Sequence, residues 1–300
     1  MKTQTRAKLL LALSMAIFGT LAPFVRNIPL TSAERALWRA VLAIVLIGGF
    51  LLVTRQRLPL RSIQKALPLL LLSGMAMGIN WILLFEAYNY TTVSVATLSY
   101  YFAPVLVTVL CPLLFRERMT KKQLFCFLMS TLGLVLVIGV GDLSGSNNHL
   151  IGILFGLGAA VLYATVILIN KKIEGVEGIP RTFIQFIAAV LILVPYVLIE
   201  GGNGLGSMNT KGWICLLVIG FVHTGLTYCM YFSSIKEMTG QNIAILSYLD
   251  PLVAILISVF VLQEAITPLQ IVGGVMILGF TLYNEIGFTK KKGNNHETNV

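Results

Sequence analysis

The amino-acid sequence predicts an all-α polytopic membrane protein with ten transmembrane helices, arranged as two inverted repeats of five helices each. Three observations lead to this fold class. Hydrophobic residues make up 57% of the chain and charged residues 11%, with a mean hydropathy of +0.87, whereas soluble proteins average about 25% charged residues. Ten apolar runs approach the roughly 20 residues that a helix needs to cross a bilayer core. The two halves of the chain also repeat each other.

The predicted spans follow the apolar runs in chain order. They are 8–25, 33–53, 66–88, 92–114, 123–140, 150–170, 182–200, 212–232, 241–262 and 266–287. Helices are required because lipid offers the backbone no hydrogen-bond partner, and no run has the alternation of a membrane β-barrel. The first run follows Lys2, Arg6 and Lys8 but lacks a small-residue cleavage site. We therefore interpret it as a retained span rather than a signal peptide.

The internal repeat rests on residue types that a hydrophobic composition does not explain. Tyr101, Pro104, Glu117, Thr120 and Gln123 return, each 147 positions later, as Tyr248, Pro251, Glu264, Thr267 and Gln270. Because five spans are an odd number, the second copy enters the membrane from the opposite side, so the repeats are predicted to be inverted. We expect a first repeat at 1–145, a second at 146–289 and a basic, polar cytoplasmic tail at 290–300.

The distribution of basic residues predicts the orientation. Lysine and arginine are retained on the cytoplasmic side of a membrane. If the N-terminus is inside, the inner segments hold 18 of the 22 basic residues, namely Lys2, Arg6, Lys8, Arg55, Arg57, Arg61, Lys65, Arg116, Arg118, Lys121, Lys122, Lys171, Lys172, Arg181, Lys236, Lys290, Lys291 and Lys292. The outer segments hold Arg26, Arg35 and Lys211, and Arg39 lies within the second span. Both termini are therefore predicted to be cytoplasmic.

These motifs resemble the EamA family of the drug/metabolite transporter superfamily. Each repeat has a proline in its fourth span, a glutamate 13 residues later (Pro104 and Glu117, Pro251 and Glu264), and a Thr-x-x-Gln sequence that opens its last span. The resemblance covers nearly the whole chain. It implies ten helices with both termini in the cytoplasm, a central cavity between the halves, and export of amino acids or other small metabolites.

Other function classes find no support in the sequence. A GxxxxGK[ST] phosphate-binding loop is absent, so an ATP-driven pump is not indicated. The formal net charge of +10 is spread over short clusters between apolar runs, which argues against nucleic-acid binding. The three histidines are scattered, and the four cysteines have neither CxxC nor metal-ligand spacing. We expect no enzymatic activity, no cofactor and no metal site.

Polar and aromatic residues within the spans are the candidates for a substrate cavity, because a polar side chain in a membrane is costly unless it faces protein or water. In span 8, polar side chains recur at four-residue spacing on one helix face. The prolines of spans 4 and 9 free carbonyl groups near the middle of the membrane. Ordinary helix packing is the alternative for each residue. The predicted cavity residues are Asn80, Trp81, Tyr100, Tyr101, Tyr163, His223, Thr227, Tyr228, Tyr231, Ser247 and Tyr248.

Three charged residues fall inside or near the membrane. Arg39 and Glu86 both lie in the outer half, and we interpret them as a gate or a structural ion pair. Asp250 lies near the middle of span 9, and its repeat partner is Ala103, so the repeat does not require an acid there. Desolvation disfavours the charged form of a buried carboxylate, which would let Asp250 exchange protons as the coupling group of a carrier; alternatively, Asp250 recognises a substrate cation. The alternative is a hydrogen-bonded acid that only fixes the helix break.

The sequence therefore predicts a secondary transporter of the inner membrane that exports a small metabolite, above all an amino acid, by alternating access. A multidrug or organic-cation exporter is the second hypothesis, and a non-transporting receptor or scaffold is the third. The expected partners are a small-molecule substrate, the lipid bilayer and protons as coupling ion. The sequence leaves the oligomeric state open.

The orientation gives a first prediction. In a cysteine-free background, single cysteines placed in the 201–210 loop should react with an impermeant maleimide added outside intact cells. Single cysteines near Lys121 or Lys171 should react only after the membrane is opened. The opposite labelling pattern would overturn the predicted orientation.

Overall fold

The computed structural model describes residues 2–56, 58–115, 119–138, 147–202, 204–235, 238 and 240–294. Within these residues the regular structure is entirely helical. Several residues used in the sequence predictions lie outside the described ones: Glu117, the end of the tail from residue 295, and Arg57, Arg116, Arg118 and Lys236.

Fourteen α-helices account for the ten predicted spans. They are α1 (Lys2–Gly19), α2 (Leu21–Arg26), α3 (Ser32–Val53), α4 (Leu60–Tyr90), α5 (Val93–Tyr100), α6 (Ala103–Phe115), α7 (Lys121–Ile138), α8 (Asn147–Asn170), α9 (Gly178–Ile199), α10 (Thr210–Leu217), α11 (Thr227–Ile235), α12 (Gly240–Ser247), α13 (Leu249–Leu256) and α14 (Pro268–Asn294). A short 3₁₀ turn, Gly204–Ser207, and two π-helical segments, Val218–Leu226 and Ile257–Val261, complete the described structure.

Spans 1, 4, 8 and 9 each combine two helical pieces or more, and every other span is one helix. Seven helical stretches of the described chain are long and apolar enough to cross a membrane, and two shorter apolar ones, Ile245–Val261 and Pro268–Asn284, follow. The fifth predicted span is the 18-residue helix α7. The all-helical polytopic fold class is confirmed.

Proline explains three of the interruptions. A proline ring clashes with the carbonyl group four residues earlier and removes one hydrogen bond. Helix α1 ends at Gly19, four residues before Pro23; α5 ends four residues before Pro104; and α12 ends four residues before Pro251. The breaks in spans 4 and 9 were expected from the sequence, and the break in span 1 was not.

The Thr-x-x-Gln motif of each repeat is a helix cap. At the start of α7, the Thr120 amide donates to Gln123 Oε1 at 2.7 Å and the Gln123 amide donates to Thr120 Oγ1 at 3.2 Å. Thr267 and Gln270 make the same reciprocal pair at the start of α14, at 3.0 and 3.2 Å. This arrangement satisfies two backbone N–H groups that a helix terminus leaves without partners. The repeated motif is therefore structural.

The packing between the two halves occurs in matched pairs. Helix α1 packs against α11 and α13, while its repeat counterpart α8 packs against α4, α5 and α6. Helix α3 packs against α9 and the π-helical segment Val218–Leu226, while α9 packs against α3 and α4. The fifth spans of the two halves, α7 and α14, pack against each other. Each of these contacts has a counterpart in which the halves are exchanged, as a two-fold related pair of five-helix units requires.

Small residues allow close approaches between helices. A methyl carbon added at Gly78 of α4 would lie 3.3 Å from Ala189 Cβ of α9, and one added at Gly156 of α8 would lie 2.9 Å from Ser99 Cβ of α5. Gly74 and Gly152, one turn earlier in the same two helices, have even less room. The Gly-x-x-x-Gly pairs of α4 and α8 are therefore packing positions.

The crossing of α7 and α14 yields a stability prediction. A methyl carbon at Gly273 would lie 2.9 Å from Val137 Cγ2 and 3.0 Å from Val137 N, so Gly273→Ala should force the helices apart. Such overpacking costs about 1–3 kcal/mol, and we expect a melting temperature several degrees lower in detergent.

Gly279→Ala is the matched control, because it lies on the same helix and a methyl carbon there would have no atom within 4 Å. This control should melt at or slightly above the wild-type temperature, since alanine favours the helix more than glycine. Equal melting temperatures for the two variants would contradict the described crossing.

Candidate functional site

The two broken spans meet at a hydrogen bond between the halves. Tyr101 lies immediately after the end of α5, and Asp250 lies in the first turn of α13, next to Pro251. The Tyr101 hydroxyl donates to Asp250 Oδ2 at 2.5 Å. Both side chains are only partly buried although they lie near the middle of their spans. The contact therefore joins the two halves next to the helix breaks of spans 4 and 9.

Three tyrosines extend the site towards α8. The ring of Tyr100 stacks on Tyr163 with centroids 5.3 Å apart, and it meets Tyr101 edge-on at 5.9 Å. Tyr163 is 39% exposed and therefore marks the edge of this group. The structure brings these three predicted residues together with Asp250.

Arg39 lies on the opposite side of the site, in α3. Its side chain is 4% exposed, and Nε donates to Thr224 Oγ1 at 2.7 Å. The guanidinium lies 4.7 Å from the Trp81 ring centroid and 5.7 Å from that of Phe85. Thr224 belongs to the π-helical segment and donates its own hydroxyl to the Ile219 carbonyl. This arrangement desolvates Arg39 against aromatic faces.

The predicted contact between Arg39 and Glu86 is not formed within the described residues. Glu86 Oε2 accepts a hydrogen bond from Asn89 Nδ2 at 3.3 Å. Arg35 Nη1 donates to Asn89 Oδ1 at 3.4 Å, and Arg35 Nε donates to the Ile28 carbonyl. Glu86 lies near the end of α4, at the level of Arg35, whereas Arg39 lies one turn deeper. The sequence chose the wrong arginine as the neighbour of Glu86, because Asn89 links Glu86 to Arg35 instead.

An aromatic cluster connects the two halves beside Arg39. Phe186 contacts the predicted cavity residues Trp81 and Tyr228 edge-on, with centroid distances of 5.2 and 5.3 Å. Tyr228 also meets Phe18 of α1 at 5.3 Å. Trp81 is 5% exposed, while Tyr228 keeps more accessible surface. Of the two repeat partners, Tyr228 is thus the better placed to contact a substrate.

Several predicted cavity residues instead make packing contacts. Asn80 donates to the Ala159 carbonyl of α8 at 2.6 Å, and Thr227 is fully buried and donates to the Val222 carbonyl. His223 is 2% exposed, and its Nε2 lies 3.0 Å from Thr20 Oγ1, at the break between α1 and α2. These are the contacts that the packing alternative predicts.

The remaining three predicted residues lie at the side of span 8 or along span 9. Tyr231 contacts the ring of Phe232 at 5.0 Å, and Ser247 donates to the Ile243 carbonyl of its own helix. Tyr248 lines a predominantly apolar cavity of about 370 Å³, bounded by α5, α13 and α14, with Leu252 and Gly274 among its walls. Its repeat partner Tyr101 does not line this cavity and bonds to Asp250 instead.

A second polar network, which we call the outer network, was not predicted. It consists of Arg26, Glu264, Ser258 and the amides of Val93 and Ser94, at the end of the molecule predicted to be external. Glu264 Oε1 pairs with Arg26 at 2.5 Å. Glu264 Oε2 accepts from the Val93 amide at 2.8 Å and from the Ser258 hydroxyl at 2.5 Å, and the Ser94 amide donates to Ser258 Oγ at 3.2 Å.

This network joins the halves by capping a helix. Val93 and Ser94 are the first residues of α5, whose N-terminal amides lack intrahelical partners and attract an anion. Arg26 donates further to the Tyr88 and Thr91 carbonyls near the end of α4, at 3.0 and 3.1 Å. Glu264 therefore holds the predicted outer ends of spans 1, 4 and 9 together. The repeat glutamate and an arginine outside the membrane were the sequence signals available for it.

Comparison with protein families gives one match to both halves of the chain. The profile of the EamA-like transporter family matches residues 5–139 and 150–284. This match confirms the resemblance inferred from the repeated motifs. It also confirms the expected class, a transporter rather than an enzyme.

Individual relatives cover most of the chain at low identity. The uncharacterized transporter YxxF of Bacillus subtilis (strain 168) is 29% identical over 258 residues, 85% of this chain and 82% of that protein. An uncharacterized transporter of Archaeoglobus fulgidus is 29% identical over 276 residues, 91% of this chain and 93% of that protein. A protein of Salmonella typhimurium named as a probable amino-acid metabolite efflux pump is 28% identical over 189 residues, 59% of this chain and 62% of its own length.

A solved structure has the same fold. A protein of known crystal structure matches with a TM-score of 0.66 over 92% of this chain and 95% of its own, at 15% sequence identity. At that identity the likeness concerns the fold alone.

The outer network gives a prediction that uses Ser94 as a reporter. Ser94 is 2% exposed beneath the network, and cysteine is nearly isosteric with serine. In a cysteine-free background, Ser94→Cys should react slowly with an impermeant thiol reagent added at the predicted outer face. Adding Glu264→Ala should raise the labelling rate, because it leaves Arg26 and the Val93 amide without their partner.

Ser234→Cys is the control. Ser234 is as deeply buried, at 1% exposed, and lies at the end of span 8 that is predicted to be cytoplasmic, away from the outer network. Its labelling should not change when Glu264→Ala is added. An unchanged rate at Ser94→Cys would mean that Glu264 does not keep the predicted outer end closed.

Proposed function

The chain belongs to the EamA-like transporter family, and we propose that it is an inner-membrane secondary transporter that exports amino acids or related small metabolites by alternating access. The relatives from Salmonella typhimurium and Escherichia coli named as probable amino-acid metabolite efflux pumps support this substrate class, at 28% and 27% identity. We propose further that the moving units are the repeats 1–145 and 146–289, with both termini in the cytoplasm.

The observation that carries the proposal is the contact between Tyr101 and Asp250. It lies where the proline-broken spans of the two repeats meet, and each residue comes from a different repeat. Transporters built from inverted repeats bind their substrates near the midplane, at the repeat interface, beside interrupted helices. A substrate held at this contact touches both repeats at once. A rocking motion of the first repeat against the second would therefore expose the substrate first to one side of the membrane and then to the opposite side.

The outer network supports the same mechanism. Its bonds from Glu264 to Arg26 and Val93 cross between the halves at one end of the molecule. In the proposed orientation the described conformation is closed towards the outside. Release of the substrate outside then requires these bonds to open, while the bonds that hold each repeat together persist.

One specific feature favours the organic-cation alternative. Asp250 lies among Tyr100, Tyr101 and Tyr163, and aromatic faces next to an acid also suit a substrate cation. A flux experiment with inverted membrane vesicles that contain the protein distinguishes amino-acid export from organic-cation export. Accumulation of radiolabelled amino acids under a proton gradient, above that of vesicles without the protein, is expected. Accumulation of organic cations alone would favour the second function, and no flux of either class would contradict both.

The proposed coupling ion is the proton, with Asp250 as the residue that binds it. Asp250→Asn keeps the size of the side chain and a hydrogen-bond acceptor for Tyr101, so an acid that only fixes the helix break should tolerate it. If Asp250 exchanges protons, this variant should lose pH-driven accumulation in proteoliposomes and retain downhill exchange of the substrate.

Tyr101→Phe is the companion variant, because it removes the hydrogen bond between the two side chains and keeps the acid. It should retain pH-driven accumulation at a reduced rate. Normal accumulation by Asp250→Asn would refute the coupling role.

A further inference from the structure

Two opposite charges lie deep in the described spans, one in each half. Arg39 follows the start of α3 at Ser32 by seven residues, which is about 10 Å along a helix. Asp250 follows the start of α12 at Gly240 by ten residues, or about 15 Å from the other side. In a bilayer core of about 30 Å, Asp250 therefore lies near the middle and Arg39 about a third of the way in from the other side. Charged groups at such depth are costly and are retained for a function.

Neither charge is required by the packing of the repeat. At the same 147-residue offset, Phe186 takes the place of Arg39 and Ala103 takes the place of Asp250. The correspondence holds in the structure. Phe186 contacts the Tyr228 ring with centroids 5.3 Å apart, and Arg39 lies 4.7 Å from the ring centroid of Trp81, which is the repeat partner of Tyr228. The scaffold thus accepts an apolar residue at each position, and the charges serve another purpose.

The two charges attract each other but are held apart. Arg39 and Asp250 interact electrostatically, yet they do not form an ion pair within 4 Å in the described part of the chain. Arg39 is fixed by Thr224 and Asp250 by Tyr101. Among the described residues, Nη1 and Nη2 of Arg39 and Oδ1 of Asp250 make no hydrogen bond. Two separated, fixed charges with unused hydrogen-bonding groups fit a ligand that carries both complementary charges.

We propose that Arg39 and Asp250 bind the two ends of a zwitterionic substrate, the guanidinium taking its carboxylate and the Asp250 carboxylate taking its ammonium group. This inference rests on the proposed function and specifies its substrate class as α-amino acids with both groups free. Guanidinium and carboxylate form strong charge-assisted hydrogen bonds through two parallel N–H donors. The ligand neutralises both protein charges, so neither remains unpaired in the membrane while the carrier changes conformation.

The residues between the charges specify the rest of the substrate. Tyr100 meets Tyr101 edge-on beside Asp250, and Tyr228 contacts Phe186, which also contacts the Trp81 ring next to Arg39. Their rings offer apolar faces, and no further charged side chain of the described spans lies at this depth. The substrate side chain is therefore apolar, as in leucine or phenylalanine.

The test compares compounds that differ only in charge. Leucine and phenylalanine are zwitterions, their amides are cations, and their N-acetyl derivatives are anions. The melting temperature of the purified full-length protein, measured against the concentration of each compound, gives an apparent Kd. We expect the zwitterion to bind at least about tenfold more tightly than either derivative, because each derivative leaves one buried charge without a partner.

Two variants should each abolish the preference for the zwitterion over one of the derivatives. Arg39→Phe and Asp250→Ala introduce the residue that the other repeat has at the same position. Arg39→Phe should no longer favour the zwitterion over the amide, and Asp250→Ala should no longer favour it over the N-acetyl derivative. Arg35→Phe, one turn from Arg39, is the control and should keep the wild-type order. Should Arg39→Phe or Asp250→Ala fail to fold, Arg39→Gln or Asp250→Asn carries the same comparison.

The outcomes separate this inference from the proposed function. If vesicles transport amino acids but Arg39→Phe and Asp250→Ala keep the wild-type order of the compounds, the inference is wrong and the proposed function stands. A wild-type protein that binds the amides most tightly would overturn the inference in favour of the organic-cation alternative. If vesicles transport no amino acid, the proposed function and this inference both fail.

Discussion

A single constraint organises the structure: within a bilayer, every backbone polar group must find its partner inside the protein. Most spans satisfy it as uninterrupted helices. Where a span departs from the α-helix, the departure faces the interior and meets a polar side chain from the other half. The break after α1 places Thr20 against His223, the break after α5 places Tyr101 against Asp250, and a π-helical segment presents Thr224 to Arg39. The irregular positions of the backbone therefore define the candidate site.

The repeat separates structural features from functional ones. Features that occur in both copies, such as the Thr-x-x-Gln caps and the breaks four residues before Pro104 and Pro251, maintain the fold in both orientations. Features that occur in only one copy have no such explanation. Arg39 and Asp250 are of this second kind, since their counterparts are Phe186 and Ala103. The two repeats match in their structural features, which allows equivalent movements of the two halves. The charges that occur in only one repeat are then available to recognise a polar substrate.

The sequence was sufficient for the fold because hydropathy and residue spacing are local properties. The ten spans and the central helix breaks follow from short segments or from the repeat. The partners of polar side chains depend on how each helix is rotated about its axis and on how deep each residue lies in the membrane. Arg35 and Arg39, for example, lie one helical turn apart on α3. For this reason the sequence paired Glu86 with Arg39 instead of placing it beside Arg35 and Asn89, and it could not distinguish Asn80, a packing residue, from Tyr228.

The outer network has an energetic property that suits a carrier. Its contacts between halves are the Arg26–Glu264 pair and the bonds from the Val93 and Ser94 amides to Glu264 and Ser258. Each bond of this kind contributes only about 1 kcal/mol net, because water replaces the partner when the contact opens. In the proposed orientation, the network therefore stabilises the closed outer end by a few kcal/mol, a difference that substrate binding at the proposed central site can offset. A closure built from apolar packing over the same area would lack this replacement by water and would open more rarely.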